Sequence, residues 1–215
     1  MSDNTILRGV TTSFGKSPEN VSVDVRLSQH RSVFMQQVEP KYMEFARARR
    51  LYGANTGAGT AKAPVTAVPT TTATWVIYNP TTSNRVLVPL QAYCWAVSGT
   101  LGLGMAMLFA VPPSIVATAP TAFASSVSNP LMPNSQATSA IFGNAVTIAA
   151  PVWNVHATRS QVAAVEVGSG LTADLDGMYI IEPGFCLGGV VLAPTGTAAL
   201  FGMGFIWGEL DLNLA

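Results

Sequence analysis

Ala198-Ala199-Leu200-Phe201-Gly202-Met203-Gly204-Phe205-Ile206-Trp207-Gly208-Glu209-Leu210 is the stretch that decides the fold class of this chain. Phe201, Met203, Phe205, Trp207 and Glu209 alternate with Gly202, Gly204, Ile206 and Gly208. In a β-strand successive side chains point to opposite faces, so this period of two sets the large residues on one face and three glycines on the other. Glycine inside a strand weakens it and marks a place where other atoms come close. The spacing leaves open whether those atoms belong to the same chain or to a second subunit.

Working back from this strand, short apolar runs alternate with turn signals. Phe185–Leu192 follows Glu182-Pro183-Gly184, and Met178–Ile181 follows Asp176-Gly177. Val162–Val167, Trp153–Thr158 and Ala145–Ala149 precede them, behind a Pro/Ser/Asn-rich crossing from Pro112 to Asn144. Leu103–Val111 is separated by Ser98-Gly99-Thr100 from a long apolar run, Arg85–Val97, bent at Pro89. The cluster Asn79-Pro80-Thr81-Thr82-Ser83-Asn84 divides that run from Thr74–Tyr78. The pattern predicts a mainly β fold: an antiparallel β-sandwich or jelly-roll body over residues 75–215. Upstream, 63–74 reads as a linker, within a Gly/Ala/Thr/Pro-rich stretch that runs from Gly53 to Thr74. Residues 1–62 read as an N-terminal arm for assembly or anchoring. It holds one strand at Val21–Leu27 and one short helix within Arg31–Tyr52, opened at Glu39-Pro40 and closed at Gly53.

Charge is scarce and unevenly placed. Charged residues make up 10% of the chain, against about 25% in ordinary soluble domains. Residues 1–62 carry nine basic and five acidic groups, a formal +4; the rest carries two and six, a formal −4. Between Arg85 and Arg159 there is no Lys, Arg, Asp or Glu. A chain with so few ionic groups is either a membrane protein or a protein whose surface is covered by neighbours. The best apolar window, Leu101–Ala119, is broken by Gly102, Gly104, Pro112 and Pro113, which argues against a spanning helix. Met1–Val10 lacks the apolar core of a signal peptide, so the expectation is synthesis in a host cytoplasm without export.

Residues suited to catalysis are few. His30 and His156 are the only histidines, and no G-x-S-x-G elbow occurs. Cys94 and Cys186 read as buried thiols. Gly53, Gly57 and Gly59 are not followed by the Gly-Lys-Ser/Thr of a phosphate loop. Asp174 and Asp176 lack the remaining ligands of an EF-hand, and a solvated turn is the simpler reading. No catalytic, cofactor-binding or metal-binding residues are assigned, no cofactor is expected, and the chain is not expected to be an enzyme. Arg47, Arg49 and Arg50 are diluted by acids in the same segment, which fits ion pairs with a neighbouring subunit better than nucleic-acid binding. The expected assembly contacts are therefore Arg47, Arg49, Arg50, Phe45, Gly202, Gly204 and Gly208.

The succession Pro69-Thr70-Thr71-Thr72-Ala73, Ile77-Tyr78-Asn79-Pro80, Ser98-Gly99-Thr100-Leu101-Gly102, Glu182-Pro183-Gly184-Phe185, Leu200-Phe201-Gly202 and Trp207-Gly208-Glu209 resembles small virion proteins of tailed bacteriophages. The similarity is to capsid decoration (cement) or head-associated proteins. It implies a β-rich, non-catalytic homo-trimer in the virion, partnered by the major capsid protein or other virion proteins and not by a membrane. Its expected work is to stabilise the icosahedral head by bridging capsomers. Two other readings stand beside it: a tail or head-fibre protein that binds a receptor through exposed Trp75, Trp95 or Trp153, and a major jelly-roll coat protein.

Overall fold

The computed structural model of the chain describes residues 8–10, 22–24, 42–57, 60–100, 104–123, 129–130, 138–160, 170–193 and 198–212. Among the described residues, thirteen strands and one helix follow in chain order: β1 (Arg8–Val10), β2 (Ser22–Asp24), α1 (Met43–Arg47), β3 (Leu51–Asn55), β4 (Thr72–Tyr78), β5 (Arg85–Ser98), β6 (Met105–Ala110), β7 (Thr121–Ala122), β8 (Asn129–Pro130), β9 (Ile141–Thr147), β10 (Asn154–Arg159), β11 (Gly170–Asp174), β12 (Cys186–Leu192) and β13 (Leu200–Asp211). Apart from the β1–β2 ribbon they form two antiparallel sheets. One has the order β10-β6-β12-β4-β9-β7 and the other β11-β5-β13-β3-β8. The pairing is nested: β3 pairs with β13, β4 with β12, β5 with β11 and β6 with β10.

The alternation in the final strand does what its spacing predicts. Phe201, Met203, Phe205 and Trp207 are fully buried, and they share one apolar cluster with Trp75, Met107, Phe109, Phe142, Leu187 and Val191 from the other sheet. The Phe205 ring meets Phe109 and Phe142 edge-on at 5.9 and 5.7 Å, so aromatic side chains of both sheets interlock there. The six-stranded sheet is covered on its second face as well. Val76, Tyr78, Val146 and Cys186 pack there with Val116, Ile148 and Trp153.

Proline explains the bend in β5. Trp207 pairs with Pro89 and Ile206 with Gln91, so Leu90 is the extra residue of a bulge. Proline has no N–H to give a ladder, and a bulge beside it is how a central strand accommodates it. The turn after β4 is held by Asn79, a buried side chain whose Nδ2 donates to the carbonyls of Arg85 (2.7 Å) and Ile181 (2.9 Å).

The structure corrects several expectations. The helix ends at Arg47, not Gly53. Arg49 takes a left-handed conformation (φ 57°), its N–H donates to the Ala46 carbonyl, and Arg50 N–H donates to the Phe45 carbonyl. This is the Schellman closure with arginine where glycine is usual. Gly53 and Tyr52 lie instead in β3, between β13 and β8. The division at 62 and 75 therefore cuts through the sheets: β3 is part of the body, Lys62 bridges Phe201, Val65 bridges Leu192, and β4 begins at Thr72. The cause is tertiary. Tyr52 pairs with Trp207 and their rings stack at 5.8 Å, a contact that local helix spacing cannot register. Met178–Ile181 is not a strand, since only Ile181 forms a bridge, to Leu87; the strand lies earlier, at Gly170–Asp174. The expected strand at Val162–Val167 and the helix opening at Glu39-Pro40 lie outside the described residues.

Candidate functional site: the outer face of the five-stranded sheet

On β5, Ala92, Cys94 and Ala96 point into the core, so Gln91, Tyr93 and Trp95 point outward. Opposite them in register, Trp95 pairs with Gly202 and Tyr93 with Gly204. A methyl group on either glycine would overlap the ring of its partner. The two glycines thus let both aromatic rings reach across β13, where they stack on each other at 5.9 Å. Gly208 repeats the device, because its missing side chain makes room for the Phe45 ring of α1. Ile206 and Leu51, half-buried, add to the apolar part of this face. Among the described residues, its one charged strand residue toward solvent is Asp174 on the edge strand β11, which accepts from Gln91 Nε2 at 2.9 Å.

Of the expected contact residues, Phe45, Gly202, Gly204 and Gly208 come together on this one face; Arg47, at the end of α1 and paired with Glu44 at 3.4 Å, and Arg49, just past the helix, lie exposed beside it. The atoms that come close to the three glycines belong to this same chain. Arg50 does not join them. It turns to Asp211, Nη2 to Oδ2 at 2.7 Å. Nearby, the carboxylate of Glu209, with no exposed surface, is held by Arg85 Nη1 at 2.7 Å, by the Thr138 hydroxyl and by Trp207 Nε1 at 3.3 Å. Sequence reasoning missed Tyr93, named Trp95 only as a receptor contact, and missed Leu51 and Ile206. The signal was present for the first two: in Gln91-Ala92-Tyr93-Cys94-Trp95-Ala96 the large aromatics alternate with small core residues, out of phase with an inward-facing role.

The other chemical candidates are scattered. Cys94 and Cys186 are free and buried, and burial pushes their thiols up to about 11 and about 12, away from the thiolate that a nucleophile or metal ligand needs. His156 on β10 is half-buried, with Nε2 2.6 Å from the Tyr179 hydroxyl and its ring against Phe109; burial holds its pKa below the ordinary value. Asp176 accepts from the Tyr42 hydroxyl. Among the described residues no group of three or more His, Cys, Asp or Glu side chains is placed to hold a metal. No helix of the described residues is long and apolar enough to cross a membrane. Of the tryptophans considered for receptor contact, Trp75 is fully buried and Trp153 donates to the Pro69 carbonyl at 2.7 Å, which leaves Trp95 on an outer face. No family model matches the chain, and no curated protein matches it.

Proposed function

We propose that this chain is a non-catalytic structural subunit of a virion, a phage head cement protein that stabilises an icosahedral shell by bridging capsomers as a homo-trimer beside the major capsid protein. The observation that carries the reading is the scarcity of ionic groups on the body, concentrated in a sheet face of aromatic, aliphatic and glycine residues with one carboxylate among them. Depletion of charge with enrichment of Tyr and Trp is the composition of an interface core. Burying such a surface between subunits adds cohesion at every contact without chemistry.

We also read the body as a jelly roll. Taking β3, β4, β5, β6, β10, β11, β12 and β13 as strands one to eight, the two sheets run 1-8-3-6 and 2-7-4-5. That order is what a long antiparallel hairpin produces when it is wrapped into two facing sheets, and it is the jelly-roll order of capsid and lectin domains. β7 and β9 extend one edge and β8 another.

The reading is tested by mixing the purified full chain with empty, undecorated phage heads and measuring co-sedimentation and the temperature of head rupture. Saturable binding at a fixed copy number per head, with a raised rupture temperature, is expected. Absence of binding to heads from every phage type tried, with recovery instead in tail fibres of purified virions, would replace it with the receptor-binding alternative. A chain starting at Tyr42 separates the role of the preceding residues from that of the body.

A further inference from the structure

We infer that His156 and Tyr179 form an acid-released latch: a proton on His156 frees the edge strand β10 from Tyr179 and opens the sandwich along this edge. The inference is independent of the reading of the chain as a virion subunit.

β10 and β11 are edge strands of the two sheets and border each other. β10 pairs with β6 at Val155–Leu108 and again at Ala157–Met107, so His156 is the extra residue of a bulge. A bulge re-aims its side chain. Here the imidazole lies against the core ring of Phe109, at 5.3 Å, and the ring of Tyr179, at 5.4 Å. On the other side, Tyr179 sits on a short loop whose two ends are tied to β5. Gly177 N–H donates to the Pro89 carbonyl, and Ile181 and Leu87 exchange backbone bonds. Between those ties Met178 and Ile180 are exposed, while Tyr179 packs against the core. Tyr179 is thus the side chain by which this loop grips β10.

The hydrogen bonds give the latch its sign. The Asn154 amide donates to the Tyr179 oxygen, so the hydroxyl hydrogen goes to His156 Nε2, 2.6 Å away. This arrangement needs a neutral imidazole with Nε2 as acceptor. A proton on Nε2 sets donor against donor. The hydroxyl must then turn its hydrogen off the acceptor it has, and a cation is left half-buried against Phe109. The closed edge therefore disfavours the charged form, and burial holds the His156 pKa below its ordinary value. An opened edge returns the ring to water. The open form then takes the proton first, and acid draws the equilibrium toward it. The charged groups of the packed elements are Arg159 on β10, Asp174 on β11, and Asp176 and Glu182 on either side of Tyr179; β6 has none. Asp174 accepts from Gln91 and Asp176 from Tyr42, and neither bond reaches the imidazole. Val155, Met178 and Ile180, exposed and next in sequence to the two latch residues, make the released edge apolar.

The test is hydrogen–deuterium exchange of the full chain between about pH 8 and about pH 5. It is followed in peptides covering β10, the 175–181 loop and, as reference, β13. Rates are expressed as protection factors, which removes the pH dependence of the exchange chemistry itself. β10 protection is expected to fall as pH drops below about 6.5, by up to about tenfold per pH unit, the limit for one proton, while β13 keeps its protection. His156→Phe retains an apolar ring beside Phe109 and is expected to abolish the fall. Tyr179→Phe keeps its ring but loses the hydroxyl, and is expected to lower β10 protection already at about pH 8. Unchanged β10 protection across the range, or an equal fall in His156→Phe, would overturn the inference. So would a fall shared equally by β13, which marks unfolding of the whole chain. Where His156→Phe does not fold, Tyr179→Phe decides: β10 protection equal to wild type at about pH 8 would overturn the latch.

Discussion

A side chain at position 202 or 204 has nowhere to go: the Trp95 and Tyr93 rings occupy those sites, and both rings are anchored by their own strand. Gly202→Ala or Gly204→Ala is therefore expected to cost about 1–3 kcal/mol, as for overpacking in a filled region, read as a lower urea midpoint with the β-sheet signal retained. Glu209 makes the opposite kind of demand. Its carboxylate is fully buried, and Arg85, Thr138 and Trp207 are arranged to receive it. Glu209→Ala takes from the Arg85 guanidinium its 2.7 Å partner, leaving Asp211 at 3.9 Å, and is expected to cost about 3 kcal/mol. Replacing Glu209 and Arg85 together by apolar residues of similar volume should recover most of that loss in the same urea assay, because a buried pair returns little beyond its own desolvation. At this scale the sequence was legible by phase and illegible by partner. The alternation told which β13 residues face inward, but nothing local could show that glycines were placed for Trp95, Tyr93 and Phe45, residues distant along the chain.

Elements were legible where period and punctuation agree. β13, β12, β5 and the turn at residues 79–84 fall near where alternation, Gly, Pro and Asn put them, and Pro89 marked its bend through the N–H it lacks. They were illegible where a short segment takes its conformation from a neighbour. β3 is extended because β13 offers it a ladder and Trp207 a stacking partner, and β11 because it borders β5. Among the described residues, the edges of the two sheets meet through Tyr179, which follows β11 and bonds both His156 and Asn154 of β10. Burial lowers the His156 pKa in the folded chain below its ordinary 6.5. The unfolded chain therefore binds its proton first as pH drops, so stability is full above about 6.5, declines as pH falls through that window, and is fully lost, for this group, below the lowered folded value. His156→Phe should lack this component. Comparing urea midpoints of variant and wild type on both sides of the histidine range checks it, and an unchanged acid decrement in the variant would count against the assignment.

Over the whole molecule, the nesting of β3 with β13, β4 with β12, β5 with β11 and β6 with β10 means that the first strand of the body closes against the last. A division drawn from composition, with the body beginning at 75, removes β3 and half of β4 and bares the Tyr52 side of Trp207. A chain starting at Trp75 is expected to be insoluble or to lack a cooperative unfolding transition, whereas one starting at Tyr42 should keep both, as judged by calorimetry. Composition misplaced that boundary because the Gly/Ala/Thr-rich stretch looks like a connector while its strands are recruited by partners more than a hundred residues away. The nesting also fixes how the body bears load. Leu51 sits opposite Gly208, and Arg50 is paired with Asp211, so the chain enters and leaves at one corner. Tension drawn between those two exits would peel β3 from β13 one bond at a time, the geometry of a zipper, which resists far less than sliding strands lengthwise. The Arg50–Asp211 and Arg85–Glu209 pairs stand at the mouth of that zipper as its hasp.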